Sequence, residues 1–404
     1  MYKLKIGIPI SADYSPNAGG GYSYITQLIE AIDNHHFNDE IAIVFINYEG
    51  KQLATKHQLL SFHPFQKRSS ADIFRKAKML LLKKSGIFKN WLNKLELQHS
   101  EARNANIVKT LEANEIKVLL YTSPEGHTFN FPFITIHWDI GHLSTFMFPE
   151  FVADFKNRCG YYQDILPKAL FILTETEAGK QELANYTTIN PTRIEVMPIF
   201  PGKVITEQVE QQAQETILQN FGLNDKNFFI YPAQFWAHKN HTLLIDAFET
   251  LLTVHPDTHL VFTGSDKGNL KYIKNYIQSR HLEERVKNLG FISNTELYTL
   301  YKNAVALVMP TFLGPSNMPP LEAANLNCQV LVSDLPGHRE LLGSYATYFD
   351  PLDHKSLSKL MISALEHTTD QASFPNPNIF TIKNAIQKLE QVLLKTASIR
   401  KNWS

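Results

Sequence analysis

The chain has 404 residues, of which 44% are hydrophobic and 19% charged. That balance excludes a disordered chain and gives a globular protein long enough for two domains. Lys and Arg number 39 together, as do Asp and Glu, so no overall field favours nucleic acid, and none is expected as a partner.

The cysteines, Cys159 and Cys328, are far apart and share no metal-ligand spacing. This predicts a reducing, cytoplasmic setting, with Cys328 as strand packing. The first residues, MYKLKIGIPI, enter a strand pattern without a small-residue cleavage site, so no signal peptide is expected. No apolar run reaches the roughly 18 residues that a membrane span needs.

Strand and helix patterns alternate along the chain. Residues 3–9 (KLKIGIP) predict a strand. A loop holding Gly19, Gly20 and Gly21 follows, then a helix over 22–33 with Ile25, Leu28, Ile29 and Ile32 on one face. Further strands are predicted at 41–47, 117–121, 133–137, 170–174 and 193–197, and a linker at 198–203. The second half predicts strands at 228–232, 259–263, 286–289, 305–309, 329–333 and 347–349, each separated by a helical segment. This is an α/β pattern with mostly parallel sheets covered on both faces. It implies two Rossmann-like, doubly wound domains facing a central cleft, at 1–200 and 201–378. An amphipathic helix over 379–404 is expected to pack back on the first domain. In such sheets ligands bind beyond the carboxyl ends of the strands.

The stretch 310–341, PTFLGPSNMPPLEAANLNCQVLVSDLPGHREL, follows a predicted strand end. Pro319 or Pro320 suits a first helical turn, where a backbone N–H lacks a partner anyway. Glu322 then projects near a helix N-terminus. Pro319 stands three residues before it, which excludes a capping box. The loop Gly314, Pro315, Ser316, Asn317 and the next residue, Met318, border a corner suited to an anion or to sugar hydroxyls. A second strand end, YPAQFWAHKNH at 231–241, places Lys239 before another helix, among Trp236, His238 and Asn240. A lysine there can neutralise a phosphate, and the helix dipole adds to it. Gly20 and Gly21 offer close backbone approach at a third such corner.

Other candidates also stand at strand ends. His137 is placed to bond either a ligand in the cleft or a carbonyl of its own loop. Asp139 and His142 are placed to meet such a ligand or each other, and Glu175 and Thr176 follow the strand LFILT. Glu340, in PGHRE, either opens a short helix or supports the site of Glu322. The segment 67–94 carries nine Lys or Arg against the single acid Asp72, interleaved with apolar residues. It either packs on the first domain, meets another subunit, or touches an anionic membrane surface peripherally.

Taken in order, GIPISADYSPNAGGGYSYITQLIEAI, TIHWDIGHLSTFMFPEF, YYQDILPKALFILTETEAGKQEL, YPAQFWAHKNHTLLIDAF, VFTGSD, LGFISNTELYTLYKNA and the 310–341 stretch resemble glycosyltransferase family 4, over most of the chain. The resemblance implies a GT-B fold and retaining transfer of a hexose or deoxyhexose from a nucleotide-diphosphate sugar. The implied acceptor is a glycan or lipid-linked glycan in surface polysaccharide synthesis, at the inner face of the membrane.

The resemblance further implies that Lys239 stabilises the leaving diphosphate and that Glu322 binds the ribose. The leaving phosphate itself takes the acceptor proton. His137 and Asp139 stand on the sugar side, with His142 and Glu175 as weaker sugar or acceptor contacts. Two positions depart from the common pattern: Gly314 stands where a first glutamate is usual, and Gln234 where an arginine is usual. A branch of the family with Gly-Pro-Ser/Thr-Asn before Pro-Pro-Leu-Glu resembles this arrangement. No Asp-x-Asp motif is present to hold Mg²⁺ with a diphosphate, so no metal and no cofactor are expected. A catalytically silent scaffold subunit and a GT-B sugar-nucleotide epimerase are the alternative readings.

Overall fold

The computed structural model describes residues 3–11, 14, 20–64, 86–145, 147–366, 374 and 377–402, without the side chains of 86–99. Two parallel sheets organise the chain. The first has seven strands in the order β3-β2-β1-β4-β5-β6-β7. They are β1 (Leu4–Pro9), β2 (Ile41–Asn47), β3 (Gln58–Ser61), β4 (Ile116–Leu120), β5 (Phe133–His137), β6 (Phe171–Thr174) and β7 (Ile194–Val196). The second has six in the order β10-β9-β8-β11-β12-β13. These are β8 (Phe228–Pro232), β9 (His259–Thr263), β10 (Val286–Asn288), β11 (Ala306–Met309), β12 (Val330–Ser333) and β13 (Thr347–Phe349).

Every residue of β5, β8 and β9 is buried, because helices cover both faces of a parallel sheet. Each sheet reverses its strand order once, between β1 and β4 and between β8 and β11. At such a reversal the loops leaving the two strands diverge to opposite faces and open a crevice. The loops that end in Gly20, Lys239 and Asn317 all leave strands at these two reversals.

The sequence pattern placed the strands to within one or two residues and missed only β3, whose QLLS is too short to show a period. The first helix differs in a way that matters. It spans Gly20–Asn34 and buries Tyr24, Leu28 and Ile32, one above another. Gly20 and Gly21 are thus its first turn, not a preceding loop, so their unpaired N–H groups belong to a helix terminus. Gly19 lies outside the described residues.

The last helix, Ile382–Arg400, packs its apolar face against Gly20–Asn34. Glu390 on it accepts from the Asn38 N–H at 2.6 Å. Glu195 of β7 meets Lys388 and Lys395 at 2.9 and 2.8 Å. A helix spans Gly86–Ala113. The basic-apolar segment 67–94 otherwise lies outside the described residues, as do the side chains of its part within that helix. Among the described residues no helix is long and apolar enough to cross a membrane.

Candidate functional site

A cleft of 570 Å³ lies between the carboxyl edges of the two sheets. Gly20, Gly21, Asp139 and Glu175 form part of its first-sheet wall. Gln234, Lys239 and Gly314 to Met318 form part of the opposite wall. Chain segments separated by hundreds of residues are thus gathered at one place.

Lys239 ends a single 3-10 turn, Ala237–Lys239, just beyond β8. The next residue, Asn240, takes a left-handed φ of 57°, a conformation that asparagine tolerates better than most residues. It is held there by its side-chain N–H bonds to the carbonyls of Pro310 and Pro351, at 3.1 and 2.8 Å. The half-buried Lys239 donates from Nζ to Asn317 Oδ1 at 3.0 Å. Among the described residues no carboxylate forms an ion pair with it. Burial pulls its pKa down to about 8, with Asp139 acting the other way. A desolvated cation without a counter-ion strongly attracts an anion.

The loop before the Met318–Asn325 helix is fixed by close contacts. Gly314 has φ +145°, a region that side-chain-bearing residues rarely adopt. A Cβ there would lie 2.0 Å from the Asn317 amide nitrogen. The absence of a carboxylate at this position therefore has a steric reason: the amide of Asn317 fills the space. The Pro315 carbonyl accepts from Thr176 Oγ1 at 2.8 Å. Gly337 packs so tightly on Pro315 that an added Cβ would sit 2.1 Å from that carbonyl oxygen. Ser316 donates to Glu175 from the other sheet. Burial raises the Glu175 carboxyl to about 7, against that hydrogen bond.

Asp139 lines the cleft and is not hydrogen-bonded to His142. Its carboxylate pairs with Arg158 at 2.5 Å and accepts from the Gly141 N–H at 2.9 Å. Burial opposes its charge, but Arg158 and that N–H outweigh burial, and the carboxyl stays below its usual range. Arg158 also lines the cleft. No spacing rule marked it, since it comes from a helix (Pro149–Gly160) that the strand pattern did not reveal.

Gln234, where an arginine was the common residue, donates to Ser265 Oγ at 3.2 Å and accepts from Trp236 Nε1 at 3.1 Å. Tyr24 and Trp138 complete an aromatic wall beside Gly21.

Four residues that the sequence singled out stand off the cleft wall. Tyr162 donates its hydroxyl hydrogen to the Asp139 carbonyl at 2.5 Å, so its oxygen accepts from His137 Nδ1 at 3.1 Å. His137 is buried behind the wall, and burial drops its pKa to about 4. His142 is buried against Phe155 and Tyr162, also away from the wall. Glu322 is 6% exposed and accepts from the Gly202 N–H at 3.0 Å and from the Tyr301 hydroxyl at 2.9 Å. It joins the segment between the sheets to the second sheet's helix, one turn behind the cleft. Glu340 does not support Glu322. Its two oxygens accept from the N–H groups of Glu177 and Ala178, both at 2.8 Å, capping the Glu177–Tyr186 helix from the other domain.

Residues 213–377 match the family model "Glycosyl transferases group 1". The O-antigen chain mannosyltransferase RfbU of Salmonella typhimurium is 32% identical over 186 residues, covering 46% of this chain and 48% of that protein. The chain spans from about a third to three fifths of the length of the curated relatives it matches. The crystal structure of Anabaena HepE in complex with UDP and glucose superimposes with a TM-score of 0.66 at 15% identity, over 97% of this chain and 100% of that one. WaaG, a glycosyltransferase involved in lipopolysaccharide biosynthesis, gives 0.60 at 14% identity, over 98% and 99%. The fold is GT-B. In a GT-B molecule the cleft described above is the space between the two Rossmann-like domains, with Lys239 and Asn317 on the carboxyl-terminal side.

Proposed function

We propose that the chain is a retaining glycosyltransferase. It moves a hexose or deoxyhexose from a nucleoside diphosphate sugar to a glycan or lipid-linked glycan acceptor in surface polysaccharide synthesis. One observation carries the reading: Lys239 lines the interdomain cleft as a desolvated ammonium whose hydrogen-bond partner is a neutral amide, Asn317. The match of 213–377 to group 1 glycosyl transferases supports it, as does the resemblance to O-antigen mannosyltransferases. A family 4 assignment, in the branch with Gly-Pro-Ser-Asn before Pro-Pro-Leu-Glu, accords with the steric need for Gly314.

In the proposed reaction the bond between the anomeric carbon and the diphosphate oxygen breaks through an oxocarbenium-like state. Negative charge grows on the leaving diphosphate. Lys239 and the N–H groups at the start of Gly20–Asn34 stand on opposite walls to receive it. Asp139, kept ionised by Arg158, and the carboxyl of Glu175 offer acceptors for sugar hydroxyls on the first-domain wall. The acceptor's oxygen bonds to the anomeric carbon on the face the diphosphate leaves, and the departing phosphate takes the acceptor's proton, so no protein nucleophile is required. With Lys239 carrying the diphosphate charge, transfer proceeds without a divalent metal.

The test is a panel of nucleoside diphosphate sugars, with UDP-glucose and a nucleoside diphosphate mannose first. A ligand that binds the native state raises the thermal midpoint. Transfer is then followed with oligosaccharide and lipid-linked acceptors. If no nucleoside diphosphate or its sugar shifts the midpoint, the reading is rejected.

A further inference from the structure

Behind Lys239 runs a chain of three hydrogen bonds whose directions are fixed from both ends. Lys239 Nζ can only donate, so the Asn317 atom facing it at 3.0 Å must be the amide oxygen. The Asn317 Nδ2 then points to His338 Nε2 at 3.0 Å. An amide nitrogen only donates, so Nε2 must be the bare, accepting nitrogen. His338 Nδ1 carries the ring hydrogen and gives it to the Ser333 carbonyl at 2.7 Å, which can only accept. No link can be reversed without setting two donors or two acceptors face to face.

His338 is 0% exposed, and burial, together with Lys239, holds its pKa down near 4. Its ring is therefore neutral at physiological pH. Gly337 brings the Pro336–Leu342 helix against Pro315 and so sets the ring beside Asn317.

We propose that His338 is a positioning residue for the anion site. It locks the Asn317 amide in one orientation and thereby holds the Lys239 ammonium at the cleft wall. The inference deepens the transferase reading and rests on it for the identity of the anion, the diphosphate of a nucleotide donor. The relay itself is a property of the unliganded protein. Asn317 without His338 has an amide free to turn its nitrogen toward the ammonium, which repels it. Lys239 then swings toward solvent.

The experiment compares wild type, His338→Phe, His338→Gln, Lys239→Ala and the double variant His338→Phe/Lys239→Ala. Glutamine offers an oxygen acceptor and an N–H donor, as the neutral ring does, whereas phenylalanine offers neither. The first readout is the pH dependence of Lys239 acylation by acetic anhydride, read by mass spectrometry. Wild-type Lys239 is expected to titrate near 8. His338→Phe should move it up by at least about one pH unit, toward the ordinary lysine value, and His338→Gln should restore most of the difference.

The second readout is UDP and GDP affinity by calorimetry. His338→Phe should weaken the bound diphosphate about 10-fold or more when Lys239 is present. It should cost less than about 2-fold in the Lys239→Ala background, because residues acting as one unit are not additive. If His338→Phe does not fold, Asn317→Ala removes the middle link and must produce the same lysine shift. An unchanged Lys239 titration in these variants, or affinity losses that multiply, overturns the proposal. Failure of both nucleotides to bind wild type rejects the transferase reading alone, since the acylation curves still decide the relay.

Discussion

The backbone N–H of Gly202 donates to Oε1 of Glu322 at 3.0 Å, across 120 residues of chain. A Cβ at position 202 would lie 2.3 Å from that oxygen, so the contact requires glycine. With Tyr301 on the other oxygen, the carboxyl is buried and shared between the interdomain segment and the second domain.

Burial raises the Glu322 carboxyl to about 7, against the bonds from Tyr301 and Gly202. The unfolded chain releases this proton near 4.5, so between about 4.5 and 7 the folded form binds more protons. Stability from this group is full below the unfolded value and is lost as pH rises through the folded one. Glu322→Gln stays neutral and keeps an acceptor for Gly202. It should gain about 1–3 kcal/mol relative to wild type between pH 5 and pH 8, at about 1.4 kcal/mol per pKa unit. Glu175 shares the trend and remains. Urea unfolding at the two pH values checks this, and parallel curves for the two proteins contradict it.

Lys239→Ala should lower kcat about 10²-fold or more, the usual loss when a group facing transition-state charge is removed. Its thermal midpoint should hold or rise, since a desolvated charge is gone. In wild type, diphosphate affinity should decline above about pH 8 as the ammonium loses its proton. Lys239→Arg should lack that decline even where its affinity is lower. Calorimetric titration with UDP across pH 7 to 10 measures both.

Gly314→Glu should not restore a useful carboxylate. The backbone sits at φ +145° and the Asn317 side chain occupies the Cβ position. The substitution is expected to displace Asn317 and weaken nucleoside diphosphate binding about 10-fold or more, the size of one or two hydrogen bonds to a charged group. Tighter binding or faster turnover in this variant counts against the geometry of the loop.

Glu340→Ala removes the cap that the second domain places on the Glu177–Tyr186 helix. A lost cap costs about 0.5–2 kcal/mol. Here the cost falls on the interdomain contact, so the domains should separate more readily. Small-angle scattering should show a larger radius of gyration for the unliganded variant, and calorimetry a more divided unfolding transition. Identical scattering and a single unchanged transition show that the remaining contacts, among them Thr176 with Pro315, Ser316 with Glu175 and Glu150 with His238, suffice to hold the cleft.

Transfer should continue in EDTA, because Lys239 is assigned the diphosphate charge. Complete loss with chelator, regained with Mg²⁺ or Mn²⁺, assigns that role to a metal instead.

The sequence alone determined the two parallel sheets, because short runs with continuous apolar centres, such as FFIYP and HLVFT, recur with helices between them. It also marked corners that line the cleft, since Gly, Pro, Ser and Asn collect where strands end. The tertiary structure decided which side chains face the cleft. Glu322 and His137 sit at strand ends or helix starts like Lys239, yet they turn toward Gly202 and Tyr162. Periodicity gives the face of an element but not the partner that meets it across a domain boundary. Arg158, His338 and the cap from Glu340 depend on contacts between residues 19, 21 and 163 positions apart. Such contacts are set by how two sheets and their loops pack, a constraint that no local pattern encodes.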